Sequence, residues 1–284
     1  MDYIKDVMIL KLNLYKVSAF PKTDDGGNKA GVVVEADLLN EYDMRSIAAK
    51  LGFSETAFVL KSEVADFKVR FFTPTSEVDL CGHATIATFN LLRDLGKITT
   101  GLYTQETKAG ILRLDVQKDI VYMEQNPPMY FEYIEPSEIE ECFEETDFTD
   151  TKLQIRVMST GVKEIFVPVV SVDVLHNLTP DFDKIRSISL KYGVIGIHCF
   201  ALDNKVDAYS RNFAPLVGID EESATGTSNG ALSCYLNNYV HQDKTEFVLR
   251  QGYSMNMPSE ILAKITKKDD TVTSVYVGGN AIIL

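Results

Sequence analysis

The amino-acid sequence predicts an α/β (α+β) protein made of two pseudo-twofold-related domains, each a curled, mainly antiparallel sheet wrapped around a central helix. Two observations carry this prediction. The chain repeats itself, and each copy sets several strand-like segments around one apolar helix led by a glycine. Sliding the sequence against itself by 141 positions aligns Arg45, Ser46, Ile47, Lys50, Gly52, Asp66, Arg70, Phe72 and Pro74 with identical residues from Arg186 to Pro215. These nine identities fall within the 30 positions 45–74, where chance gives about two. Three residues are then inserted in the second copy, after which Gly82, Ala87 and Leu92 match Gly226, Ala231 and Leu236. The halves therefore read as 1–125 plus 272–284, and 126–271, with the closing stretch SVYVGGNAIIL returning to finish the first sheet.

The elements follow in order. MDYIKDVMILKLNLYK carries acids and lysines through its apolar part, so it reads as a first strand rather than a signal peptide. The segment 36–52 has helical periodicity and ends on Gly52, suited to a left-handed C-terminal cap. ETAFVLK and FKVRFFT, rich in aromatic and β-branched residues, read as strands. Thr73-Pro74 and Ala214-Pro215 break into loops. After each glycine come helical patterns at 84–96 and 228–240; the first is apolar almost all round until Arg93, which predicts burial. The charge-rich 135–148 and KKDD at 267–270 read as solvated surface.

Composition narrows the function classes. The chain has 284 residues, 45% apolar and 24% charged, and no apolar run of membrane-spanning length. Together with the missing signal peptide, this predicts a cytoplasmic protein with no membrane partner. A formal charge of −13 without a basic stripe argues against nucleic acid. Cys81, Cys142, Cys199 and Cys234 are widely separated and the histidines do not cluster, which predicts reduced, mostly buried thiols and no metal site.

Why the chain carries the glycine-plus-helix device twice, as Cys81-Gly82-His83 and Thr225-Gly226-Thr227, is a question of chemistry. A helix start concentrates unpaired N–H groups and partial positive charge, so it attracts anions without a lysine or arginine. Two such starts facing one cleft would suit a small carboxylate-bearing molecule. From one copy alone, tight packing at the glycine is the simpler explanation; duplication favours the ligand.

The stretches GNKAGVVV, LGFSETAFVL, RFFTPTSEVDLCGHATIATFNLL, RNFAPLVGIDEESATGTSNGALSCYL, RQGYSMNMPSE and VYVGG, spread along nearly the whole chain, resemble the PhzF-like phenazine-biosynthesis family within the diaminopimelate epimerase-like fold group. The resemblance implies an isomerase that needs no cofactor, acts by acid/base proton transfer in the interdomain cleft, and forms a homodimer. It implies that Glu55 is the general acid/base and that His83 positions and protonates substrate. It places the family's second-half aspartate on Glu222, the third expected catalytic residue, and, for substrate binding, the family's serine on Thr227 and a substrate-contacting asparagine on Asn28, where Lys29 replaces the usual proline. Gly82, Cys81, Thr225 and Gly226 complete the expected substrate-binding set. The repeat supports Glu55 separately, because its paired position is Gly196. The related epimerases resemble this chain at both helix starts but carry a cysteine at each. With Thr225 opposite Cys81, two-thiol racemisation is disfavoured, since a threonine hydroxyl is far too weak an acid. A one-sided dehydratase or epimerase using Cys81, and a non-catalytic small-molecule-binding protein, are the rival readings.

Overall fold

In a computed structural model, the structure describes residues 13–284. Residues 1–12, where the sequence predicts the start of the first strand, lie outside the described residues. The contacts divide the chain into two units. The first holds 13–19, Lys29–Met123 and Asn280–Leu284, and the second holds Phe20–Asn28 and Glu124–Gly279.

The first unit runs β1 (Asn13–Ala19), β2 (Asn28–Val34), α1 (Glu41–Leu51), β3 (Glu55–Leu60), β4 (Phe67–Phe72), β5 (Glu77–Val78), α2 (Gly82–Asp94), β6 (Gly101–Thr107), β7 (Gly110–Val116) and β8 (Val121–Gln125), along which the chain passes into the second unit. The second continues with β9 (Met129–Tyr133), α3 (Pro136–Glu140), β10 (Arg156–Ser159), β11 (Lys163–Pro168), α4 (Val172–Asn177), α5 (Phe182–Tyr192), β12 (Ile197–Leu202), β13 (Ala208–Ala214), β14 (Ile219–Glu222), α6 (Gly226–Tyr239), β15 (Glu246–Gln251), β16 (Ser259–Lys268) and β17 (Thr271–Gly279). The last strand, β18 (Ala281–Ile283), pairs antiparallel with β1. The return to the first unit is shorter than the sequence suggests. Residues 272–279 stay in the second unit because β17 is laddered along β16 from Leu262↔Gly278 to Lys268↔Thr271.

The repeat is visible in register as well as in sequence. In the first unit β2 pairs parallel with β3, β3 antiparallel with β4, and β4 parallel with β6. In the second, β11, β12, β13 and β15 pair in the same senses. Thr56↔Phe72 becomes Ile197↔Phe213, and Phe67↔Gln105 becomes Ala208↔Leu249. Side chains repeat too: the Arg70–Glu77 fork, with Nε–Oε1 at 2.7 Å and Nη2–Oε2 at 2.9 Å, recurs as Arg211–Glu221 at 2.8 Å and 2.8 Å. Asp66 accepts the Thr104 N–H at 2.7 Å, and Asp207 that of Val248 at 2.8 Å.

Local chemistry sets the helix ends. The helix predicted over 36–52 begins at Glu41, because Asn40 and Asp43 form a reciprocal capping box. It ends on Gly52 at φ 68°, and α5 ends on Gly193 at φ 60°, a left-handed turn that glycine takes without strain. Each unit then wraps its sheet around its buried helix: α2 packs on β1, β3, β7 and β18, and α6 on β10, β15, β16 and β17. Residues His83 to Leu92 of α2 are buried throughout, as the all-round apolar pattern predicts. The stretch 135–148 departs from its predicted solvated character. Its acids line α3 and the following turn, while Ile139, Cys142, Phe143 and Phe148 fill the core of the second unit. No helix among the described residues is long and apolar enough to cross a membrane.

Candidate active site

In the first unit the repeat's strand and helix bring three chemically active side chains together. Glu55 opens β3, Cys81 is the extended N-cap of α2, and His83 is the second residue of that helix. His83 Nε2 is 3.4 Å from Glu55 Oε2, and His83 Nδ1 is 3.4 Å from Cys81 Sγ. All three are buried. The imidazole contact is an electrostatic approach rather than a hydrogen bond, for Glu55 Oε2 is buried without a hydrogen-bond partner. A carboxylate oxygen left so costs free energy, and native proteins keep few of them.

Burial pushes the Cys81 thiol up to about 11, and the Glu55 charge raises it further against the opposing His83 ring. The thiol is therefore protonated at neutral pH. Ligand atoms of Glu55, Cys81 and His83 all lie within 4.8 Å of one another, a spacing that suits a metal ion. A metal there would first have to displace that thiol proton.

In the second unit the corresponding helix start is organised differently. Thr225 is the extended N-cap of α6, yet its side chain makes no cap hydrogen bond; its hydroxyl donates to Glu222 Oε2 at 2.7 Å. Asn28 Nδ2 donates to Glu222 Oε1 at 2.9 Å and to the Ala224 carbonyl at 3.0 Å. Glu222, on β14, is thereby held at the helix start from two sides. Gln251, at the end of β15, accepts from the Thr225 N–H at 3.1 Å and donates to the Glu222 carbonyl at 2.6 Å. Asn229 Nδ2 joins Gln251 Oε1 at 2.7 Å. Half-buried Thr227 follows Gly226 in the first turn.

The two starts share one trait. Neither Cys81 nor Thr225 makes a side-chain cap bond, whereas Asn40 and Asp181 cap α1 and α5. Packing does not account for the second glycine, since a Cβ on Gly226 would meet Val277 and Phe20 at ordinary distances of 3.5 and 3.7 Å.

The predicted residues thus fall into two clusters, Glu55, Cys81, Gly82 and His83 in the first unit and Asn28, Glu222, Thr225, Gly226 and Thr227 in the second. Sequence reasoning missed Gln251, although RQGYSMNMPSE was among the telling stretches; a buried glutamine closing a strand is the signal it left. The pairing of Glu55 with Gly196 also has a steric basis. A Cβ at Gly196 would stand 1.9 Å from the Phe213 carbonyl oxygen, so the second unit cannot carry any side chain there.

A family model described as phenazine biosynthesis-like protein matches residues 17–284. A Clostridium acetobutylicum protein named as an uncharacterized isomerase is 33% identical over 98% of this chain and 97% of its own. The trans-2,3-dihydro-3-hydroxyanthranilate isomerase of Pseudomonas fluorescens is 28% identical over 95% and 96%. Among solved structures, a PhzF-family phenazine biosynthesis protein of Bacillus anthracis superposes with a TM-score of 0.89 at 33% identity, covering 96% of this chain and 97% of that one. A hydroxyproline epimerase of Agrobacterium vitis shares the fold alone, with a TM-score of 0.62 at 13% identity over 96% and 89%.

Proposed function

The chain belongs to the phenazine biosynthesis-like family, and from that membership and the Glu55 environment we propose that it is a cofactor-independent isomerase moving a proton between two carbons of a small carboxylate-bearing metabolite. The observation that carries this reading is the buried Glu55 Oε2, which makes no hydrogen bond and stands 3.4 Å from His83 Nε2. Glu55 takes the proton as a base and returns it to a second carbon as an acid, completing both halves of an isomerisation within one turnover. Burial serves this step, because water near the carboxyl would exchange the proton away. His83, 3.4 Å from that oxygen, orients the substrate and offers a proton to its polar group.

Glu222, held by Asn28 and Thr225, is the second catalytic carboxylate and contacts the substrate, and Asn28, Thr225, Gly226 and Thr227 are substrate-binding residues. Cys81 is a buried neighbour and not the base, its proton being held too firmly at neutral pH. The relative named trans-2,3-dihydro-3-hydroxyanthranilate isomerase supports a cyclic, unsaturated amino acid as the first substrate to try. The same family resemblance supports a homodimer. The test is to incubate the purified protein with trans-2,3-dihydro-3-hydroxyanthranilate in deuterated buffer and follow the substrate protons by NMR, after a thermal-shift screen of small amino and aromatic carboxylates. Conversion or hydrogen exchange of a bound carboxylate supports the reading. Binding across the set with neither would leave a non-catalytic binding protein.

A further inference from the structure

The second unit has a buried carboxylate of its own, one strand away from where the repeat would put it. In the first unit Glu55 faces Ala30 across the β2–β3 pair. Continuing the Ile165↔Ile197 register back by one residue sets Gly196, which has no room for a side chain, opposite Glu164 on β11. The carboxylate has changed strands.

It has also changed its surroundings. Ala57, Phe71, Val78 and Ala84 of the first unit correspond by the repeat to His198, Asn212, Glu222 and Ser228 of the second. An apolar floor under one helix is a polar floor under the other. Glu164, His198, Asn212 and Ser228 are all almost wholly buried. Asn212 Nδ2 donates to Glu164 Oε1 at 2.6 Å, the Ser228 hydroxyl donates to Glu164 Oε2, and Asn212 Nδ2 lies 3.1 Å from His198 Nδ1. Ser228 belongs to the first turn of α6, next to Thr227, and Asn212 is the cross-strand partner of Glu222.

We propose that Glu164 is a positioning residue for the second-unit substrate contacts, anchoring the first turn of α6 through Ser228 and the β14 strand that carries Glu222 through Asn212. The inference rests on the reading of Glu222 and Thr227 as substrate contacts. Glu164 itself is too buried to touch substrate. It acts by its shape and its charge. Burial raises it to about 7, the Ser228 and Asn212 bonds oppose that rise, and the charge of Glu222 on β14 adds to it. The other titratable group of the cluster, His198 on β12, is neutral, burial holding it down at about 3. The residues from β13 and α6 that reach Glu164, Asn212 and Ser228, carry no charge.

The test needs no substrate for its first arm. In isotope-labelled full-length protein, the amide signals of Thr227 and Ser228 are followed by NMR across neutral pH. The expected result is a titration step near neutrality in the wild type, absent in Glu164→Gln, and displaced to lower pH in Glu222→Gln, which removes the like charge. A step that persists unchanged in Glu164→Gln, or amides that do not respond in the wild type, would overturn the proposal. The second arm is turnover of trans-2,3-dihydro-3-hydroxyanthranilate. Glu164→Ala, which strands Ser228 and Asn212, is expected to raise KM at least tenfold and Glu164→Gln to restore it. A Glu164→Ala KM equal to wild type in a folded protein would equally overturn it. Failure of the wild type to convert the probe bears on the proposed function alone, and the NMR arm then decides the role of Glu164.

Discussion

Cys81 and Thr225 occupy the same place in the two copies, and each spends its side chain differently. Cys81 Sγ lies 3.4 Å from His83 Nδ1 and is kept protonated by burial, whereas the Thr225 hydroxyl is committed to Glu222. In the proposed mechanism neither acts as the base. Cys81→Ala is therefore expected to keep turnover within about tenfold of wild type, measured beside thermal stability because the thiol also packs. A loss beyond about a thousandfold, roughly 4 kcal/mol of transition-state stabilisation, would move the base to the thiol. Gly196 makes a second residue-scale prediction. Its Cβ would collide with the Phe213 backbone, so Gly196→Ala is expected to cost on the order of 3 kcal/mol or more in denaturant unfolding, through forced displacement of β12 from β13. A near-neutral alanine would show that the two strands can separate freely. Glu55 and His83 were legible in the sequence through a resemblance carried by whole motifs. Glu164 was not, because its twin is the unremarkable Ala30 and the equivalence appears only when strands are paired.

Elements repeat more faithfully than residues do. The helix, strand pair, short strand, helix and hairpin recur in order, and the duplicated Arg70–Glu77 and Arg211–Glu221 forks lock the same junction twice. Beneath α6, however, the floor is polar and holds the buried Glu164. Glu164 has a raised carboxyl in the folded chain, so between its ordinary 4.5 and about 7 the folded state holds a proton that the unfolded state has released. Stability then falls as pH rises through that window. Glu164→Gln removes the titration while keeping the shape. Its stability relative to wild type is expected to be greater at about pH 8 than at about pH 5, by an amount on the order of 3 kcal/mol at most. His198 contributes the same slope to both proteins and drops out of the difference. Urea unfolding at the two pH values reads this directly, and an equal difference at both would contradict it. The helix boundaries show what periodicity misses at this scale. Ala36 and Leu39 extend the apolar pattern of α1 upstream, but the Asn40–Asp43 box starts the helix after them. Likewise the acids of 135–148 mask four core residues that a charge count cannot see.

For the molecule as a whole, duplication explains why two like scaffolds carry unlike chemistry. Once a fold is repeated, one copy can keep an apolar floor and a buried carboxylate oxygen without a hydrogen bond while the other builds a hydrogen-bonded cradle, each supported by the same strand register. Glycine-led starts at Gly82 and Gly226 and strands in equivalent places were readable from spacing alone. The division of the closing strands was not, since whether 272–279 pairs with β16 or returns to the first sheet depends on long-range ladders. The central claim is that Glu55 carries the proton, and replacing it by glutamine tests this most directly, because size and hydrogen-bonding capacity are kept while the acid/base function is removed. With a validated substrate, Glu55→Gln is expected to bind within a fewfold of wild type and to convert it slower by about 10²–10⁴, the usual contribution of general acid/base catalysis. A folded Glu55→Gln protein that turns over at the wild-type rate would contradict the account.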